Sequence, residues 1–136
     1  MDNSVAVKWF FPEIHGAHAQ RLLELGHALN VPDLLASEFT NVLWKRVEFQ
    51  QLSADEAREV LEDFDRFPLQ VFPSPPLKSA ALRLSIEGHH PAYDCFYLAL
   101  ALDIGCQCVT ADQGFHRSFK TTYPEAMLWI EEVPPL

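Results

Sequence analysis

Short apolar runs alternate with stretches of helical period along the chain. Val5-Ala6-Val7, followed by Trp9-Phe10-Phe11, reads as the end of a strand running into a turn at Pro12. Residues 13–25 carry Ala19, Leu22 and Leu23 at helical spacing, and Gly26 is a stop signal. Residues 28–31 read as a strand. Pro32-Asp33 opens a helix reaching about Phe49. Ser53-Ala54-Asp55-Glu56 is a capping box that starts a helix running to about Phe67, where Pro68 ends it. Leu69 to Phe72 is strand-like. Ser74 is the expected cap of the next helix, which Gly88 ends. Pro91 opens an almost wholly apolar helix, Ala92 to Ile104, closed by Gly105. Cys106 to Thr110 reads as a buried strand, 113–119 as a loop or short helix, and Met127 to Ile130 as a last strand.

This alternation predicts one α/β domain, residues 1–136, with a mostly parallel central sheet. In such sheets ligands bind beyond the carboxyl ends of the strands. No apolar run approaches the roughly 20 residues that span a bilayer, and Asp2 and Lys8 interrupt any signal-peptide pattern. The cysteines, Cys95, Cys106 and Cys108, form no disulfide framework, so a reducing cytoplasm is the expected compartment. The formal net charge of −9 argues against a general nucleic-acid coat protein. It leaves open an enzyme that neutralises a few phosphates locally.

Four acids stand beside core elements: Asp2, Glu38, Asp94 and Asp112. Glu38 projects between Leu34 and Val42, inside the apolar arc of its helix, where an unpaired carboxylate is costly. Asp94 opens the apolar helix, and Asp112 follows the buried strand. Singly, each has an ordinary explanation: a helix-edge Glu, a first-turn Asp complementing the dipole, a turn former, a chain end. Together they would repel one another, and a cation would remove that penalty. An all-oxygen set favours Mg²⁺ or Mn²⁺ over Zn²⁺.

Four segments occur in order: Asp2-x-Ser4-Val5-Ala6-Val7-Lys8-Trp9; Pro32-Asp33-Leu34-Leu35-x-x-Glu38-x-x-Asn41-Val42-Leu43; Tyr93-Asp94-x-x-Tyr97-Leu98-Ala99; and Val109-Thr110-Ala111-Asp112. With that spacing the chain resembles PIN domains, and more narrowly the VapC-type toxins of toxin–antitoxin pairs. The resemblance implies a three-layer α/β/α sandwich and a Mg²⁺- or Mn²⁺-dependent endoribonuclease. Asp2, Glu38, Asp94 and Asp112 would be the catalytic and metal-binding acids, with Ser4 and Thr110 as small polar supports. It further implies a tRNA or rRNA substrate, a homodimer, and a VapB-type antitoxin whose tail enters the groove. One departure is notable. The family's first strand has several apolar residues before its first Asp, whereas only Met1 precedes Asp2. The expectation is therefore a chain that starts upstream or a stunted strand.

Lys8, Lys45 and Arg46 are candidate phosphate contacts, with solvated surface charge as the plainer account of each. His15 and His18 lack further ligands for a zinc site. Cys106 and Cys108 read as packing, His89-His90 as a loop, and His116 carries no signal beyond its nearness to Asp112. One of Trp9, Phe10 and Phe11, or Trp44, is expected to line a partner surface. Two other functions compete: a PIN-like scaffold that binds without cutting, and a receiver-type Mg²⁺ pocket. The receiver design wants an acceptor Asp after its third strand, where this chain has Pro73.

Overall fold

The computed structural model describes residues 1–135. Met1-Asp2 is followed by a short helix α1 (Asn3–Ala6) and a 3-10 turn (Val7–Trp9). Then come α2 (Gly16–Glu24), β1 (Leu29–Pro32), α3 (Leu34–Glu48), α4 (Ala54–Phe64) and β2 (Leu69–Phe72). A second 3-10 turn (Pro75–Leu77) leads into α5 (Lys78–Gly88), α6 (Ala92–Ile104), β3 (Cys108–Thr110), α7 (Gln113–Phe119) and β4 (Met127–Trp129). The fold is α/β, as the alternation of periods predicts.

All described strand pairing is parallel: β1 with β2, Leu29 opposite Leu69, and β3 with β4, Thr110 opposite Trp129. The sheet is divided between these two pairs, and Met1-Asp2 lies between them. The Met1 amino group donates to the Asn30 carbonyl at 3.5 Å, and the Asp2 amide donates to the Val109 carbonyl at 3.1 Å. Two residues therefore do the work of a middle strand, and an open cleft of about 470 Å³ continues their line past Leu29, Val109 and Leu128.

The expected strand at Val5–Val7 is helical instead. Asp2 caps α1, its side chain accepting from the Ser4 amide, and this turns the chain immediately after the sheet contact. Val5, Ala6 and Val7 are all buried, because this tight wedge enters the core end-on. The same turn lets three consecutive aromatics pack inward. Trp9 stacks on Phe67 (4.9 Å between ring centroids), Phe10 meets Phe39 and Phe67, and Phe11 lies under the Arg46 guanidinium at 3.8 Å. Trp9 and Phe10 are half-buried and Phe11 is buried, whereas Trp44 is 57% exposed.

Local signals hold where they are self-contained. The Ser53–Glu56 capping box forms with both of its hydrogen bonds, and Gly105 takes the left-handed conformation (φ 70°) that closes α6. Ser74 does not cap a helix with its side chain; its amide and hydroxyl both donate to the Asp33 carboxylate. α6 is the central helix, with Tyr97 to Ala101 buried consecutively. α5 packs along it.

Gly88 closes α5 against α7. A Cβ there would sit 2.5 Å from two carbons of the Phe119 ring, itself 1% exposed. Helix propensity alone would favour Ala over Gly by about 1 kcal/mol. The clash reverses the sign, since overpacking costs typically about 1–3 kcal/mol. Gly88→Ala is expected to lower the urea unfolding midpoint; an unchanged or raised midpoint would show that Phe119 yields freely.

Candidate active site

Asp2 is the most deeply buried acid, at 3% exposure. One oxygen accepts from the Ser4 amide (3.1 Å) and hydroxyl (2.5 Å). The other accepts from the Thr110 hydroxyl at 2.5 Å. Ser4 and Thr110 are thus direct supports of Asp2. They also tie it to the next acid along: the Thr110 hydroxyl accepts from the Asp112 amide at 3.0 Å, and that of Ser4 from the Ala111 amide at 2.9 Å. Thr110, fully buried at the end of β3, therefore bridges the chain start to the loop entering α7.

Glu38 is half-buried on α3, and one of its oxygens accepts from the Tyr97 hydroxyl at 2.5 Å. Asp94, in the first turn of α6, is held through one oxygen by His90 Nε2 at 2.6 Å. Asp112 is exposed and caps α7, one oxygen accepting from the Phe115 amide at 3.0 Å. A shared posture emerges. Glu38, Asp94 and Asp112 each have one carboxylate oxygen fixed by a protein donor, which leaves the second for something else.

The electrostatics join three of the four. Burial pushes the Asp2 carboxyl up to about 6, opposed by the Ser4 and Thr110 hydrogen bonds and the terminal amino group, and reinforced by Asp94. Burial likewise raises Glu38, opposed by its Tyr97 hydrogen bond, with Asp94 and Asp2 adding to the rise. Desolvation, then Glu38, Asp2 and Asp94, push the Tyr97 phenol far up, so it stays a hydrogen-bond donor. The charge of Asp94 thus reaches both Asp2 and Glu38, and that of Asp2 reaches Glu38, while Asp112 is linked to Asp2 through the Thr110 hydroxyl. Among the described residues no group of three or more His, Cys, Asp or Glu side chains is placed to hold a metal ion as they stand. The donor chemistry nonetheless fits a hard cation: oxygens only, one buried carboxyl with raised proton affinity, and free second oxygens on its neighbours.

His90, Tyr97 and Ser118 were not legible as site residues. His90 is held on both nitrogens: Nε2 by Asp94, and Nδ1 within 3.3 Å of the Ser118 hydroxyl. Its ring stacks on Phe115 with 5.3 Å between centroids. The signal available is spacing, because His90, just ahead of α6, and Asp94 and Tyr97 within it fall four and three residues apart. Lys8 and Arg46 both reach Glu13, at 3.3 and 2.9 Å, so neither stands free for a phosphate.

With this geometry in place, kinship is clear. A family profile described as the PIN domain matches residues 1–119, and the chain belongs to that family. Ribonuclease VapC3 of Pyrobaculum aerophilum is 31% identical over 121 residues, covering 88% of this chain and 92% of that one. The crystal structure of PAE2754 from Pyrobaculum aerophilum aligns with a TM-score of 0.71 at 24% identity, over 96% of this chain and 81% of that one, and shows the shared fold.

The Asp2 shift has a thermodynamic consequence. Its carboxyl titrates near 6 when folded against an ordinary value of 3.8, so the folded state binds the proton more tightly. Its burial costs nothing well below pH 3.8, destabilises the fold as pH rises towards 6, and is fully felt above that. Two pKa units correspond to about 3 kcal/mol. In EDTA at pH 7.5, Asp2→Asn is expected to raise unfolding stability by about 1–3 kcal/mol, with the gain vanishing near pH 4. Equal or lower stability of the variant at pH 7.5 would contradict the buried-charge account.

Proposed function

We propose that this PIN-domain protein is a metal-dependent endoribonuclease, the toxin of a type II toxin–antitoxin pair. The observation that carries the reading is the gathering of Asp2 beside the end of β3, Glu38 of α3 and Asp94 of α6 closely enough that the charge of Asp94 adds to the raised proton affinity of the other two. The kinship with a VapC ribonuclease supports the substrate class. Asp2, Asp94 and Asp112 would hold Mg²⁺ or Mn²⁺, with Glu38 completing the set. When bound, such an ion lowers the pKa of a water and stabilises charge on the phosphoryl oxygens.

The chain's own residues supply the rest. Ser4 and Thr110 fix both oxygens of Asp2, so its position is set before any ligand arrives. His90 does the same for one oxygen of Asp94. Where Glu38 does not complete the metal-holding set, its free oxygen, with the other oriented by Tyr97, orients the water that attacks phosphorus in line and takes its proton. The P–O bond opposite breaks, and the leaving oxygen is protonated from solvent. RNA, as tRNA or rRNA, is the proposed substrate, and a VapB-type antitoxin the proposed silencing partner. Leu82, Ile86 and Tyr93, exposed by 59%, 65% and 70%, give α5 and the start of α6 an apolar face. Such a face suits a second copy in a homodimer. No helix among the described residues is long and apolar enough to cross a membrane, and a cytoplasmic location fits the reading.

Asp94→Asn is expected to reduce Mn²⁺-dependent cleavage of RNA at least about a hundredfold, the scale on which removing one positioned catalytic group acts. The circular dichroism spectrum should be unchanged, because His90 can still donate to the amide oxygen. Cleavage undiminished in the variant, or in wild type with excess EDTA, would overturn the reading. Metal binding without any RNA cleavage would favour the scaffold instead.

A further inference from the structure

A second cleft opens beside the acidic cluster. It has a volume of about 290 Å³, and its lining includes His116, Arg117 and Lys120 from the α7 side, and His15, Trp129 and Glu131 opposite. It is continuous with the site in two ways. Gln113, the residue after Asp112, lies on its wall. Trp129 is the register partner of Thr110, so only one strand spacing, about 4.8 Å, separates the cleft backbone from the hydroxyl that holds Asp2.

The cations in this cleft are unlike the rest. The chain has ten Lys and Arg residues against nineteen Asp and Glu. Lys8, Arg46, Arg58, Arg66 and Arg83 pair with carboxylates. Arg21 and Lys78 donate to main-chain carbonyls. Among the described residues Lys45, Arg117 and Lys120 have no acceptor, and two of these three share this cleft. Two acids, Glu131 and Glu132, line the opposite side, and neither is their partner. Glu131 accepts from His15 at 2.7 Å, a contact that holds its carboxyl below the usual range, and among the described residues Glu132 makes no ion pair with Arg117 or Lys120. The aromatic wall is built too, with the His15 and His116 rings each 5.6 Å from Trp129. In a protein of net charge −9, two unpaired cations beside an aromatic wall, in a cleft that reaches Gln113 next to Asp112, match what single-stranded RNA needs: charge for the phosphate and a ring for the base.

We propose that this cleft is the subsite for the nucleotide flanking the scissile phosphodiester. Arg117 and Lys120 contact its phosphate, and Trp129 lies against its base. This rests on the ribonuclease reading and adds to it where RNA is gripped. Neither cation carries structure, since both are exposed and without hydrogen bonds, so the pair can be removed with the fold retained.

The test uses the full chain, a single-stranded oligoribonucleotide, and the Arg117→Ala/Lys120→Ala double variant. The variant is expected to raise KM at least tenfold with kcat within about twofold. Binding of the same oligomer to Asp94→Asn, with and without the double substitution, is then measured across salt concentrations. Losing two phosphate contacts should flatten the slope of log K against log[salt] by about 1.4. Arg58→Ala/Arg66→Ala removes the same net charge elsewhere and should leave both readouts unchanged. Arg117→Lys/Lys120→Arg should restore the slope. An unaltered KM and slope in the double variant, or an equal effect from the Arg58/Arg66 control, would overturn the subsite. Salt-dependent binding through Arg117 and Lys120 with no cleavage by wild type would keep the RNA contact at this cleft but refute the ribonuclease reading and, with it, the place beside a scissile bond, so the two failures are told apart.

Discussion

The Asp2 carboxylate is the point on which this molecule turns. It sits where the two parallel strand pairs meet, on the residue whose amide completes a hydrogen bond to β3. Burying a charge there is unfavourable, and three donors from Ser4 and Thr110 offset only part of the cost. The same contacts serve architecture and chemistry. They start α1, join the chain's beginning to the end of β3, and orient a carboxyl towards Glu38 and Asp94. A position so constrained is destabilising without a counter-charge, so a cation bound there would add to folding stability.

The remaining acids are arranged by a common device. A protein donor grips one oxygen of each: Tyr97, from another helix, for Glu38, and the nearby His90 and Phe115 amide for Asp94 and Asp112. Rotation of each carboxylate is thereby limited before a ligand is present, the preorganisation on which site chemistry depends. Much of this support comes from aromatic packing, with His90 lying on Phe115 and beside Phe119.

What was legible in the sequence was what is written locally. The capping box at Ser53 and Glu56, the glycine after α6 and the parallel α/β alternation all depend on neighbours a few residues apart. The acids could be singled out because each breaks an apolar pattern. Three features escaped for the opposite reason. Val5 to Val7 has strand-forming residues, but the Asp2 cap and a buried end-on position override that propensity. Ser74 has the composition of a cap, yet its partner Asp33 lies 41 residues away. Lys8 and Arg46 read as free cations until the fold brings both to Glu13. The conjunction of Asp2, Glu38 and Asp94 belongs to the tertiary structure, and the family motif made it an expectation without giving its geometry.

The contact between Gly88 and Phe119 reaches further than helix packing. Phe119 also borders the His90 ring, at 6.0 Å between centroids, and His90 fixes Asp94. A side chain added at Gly88 would therefore press, through one aromatic ring, on the imidazole that steadies an acid. A residue with no functional group of its own thus helps to set where a carboxylate points.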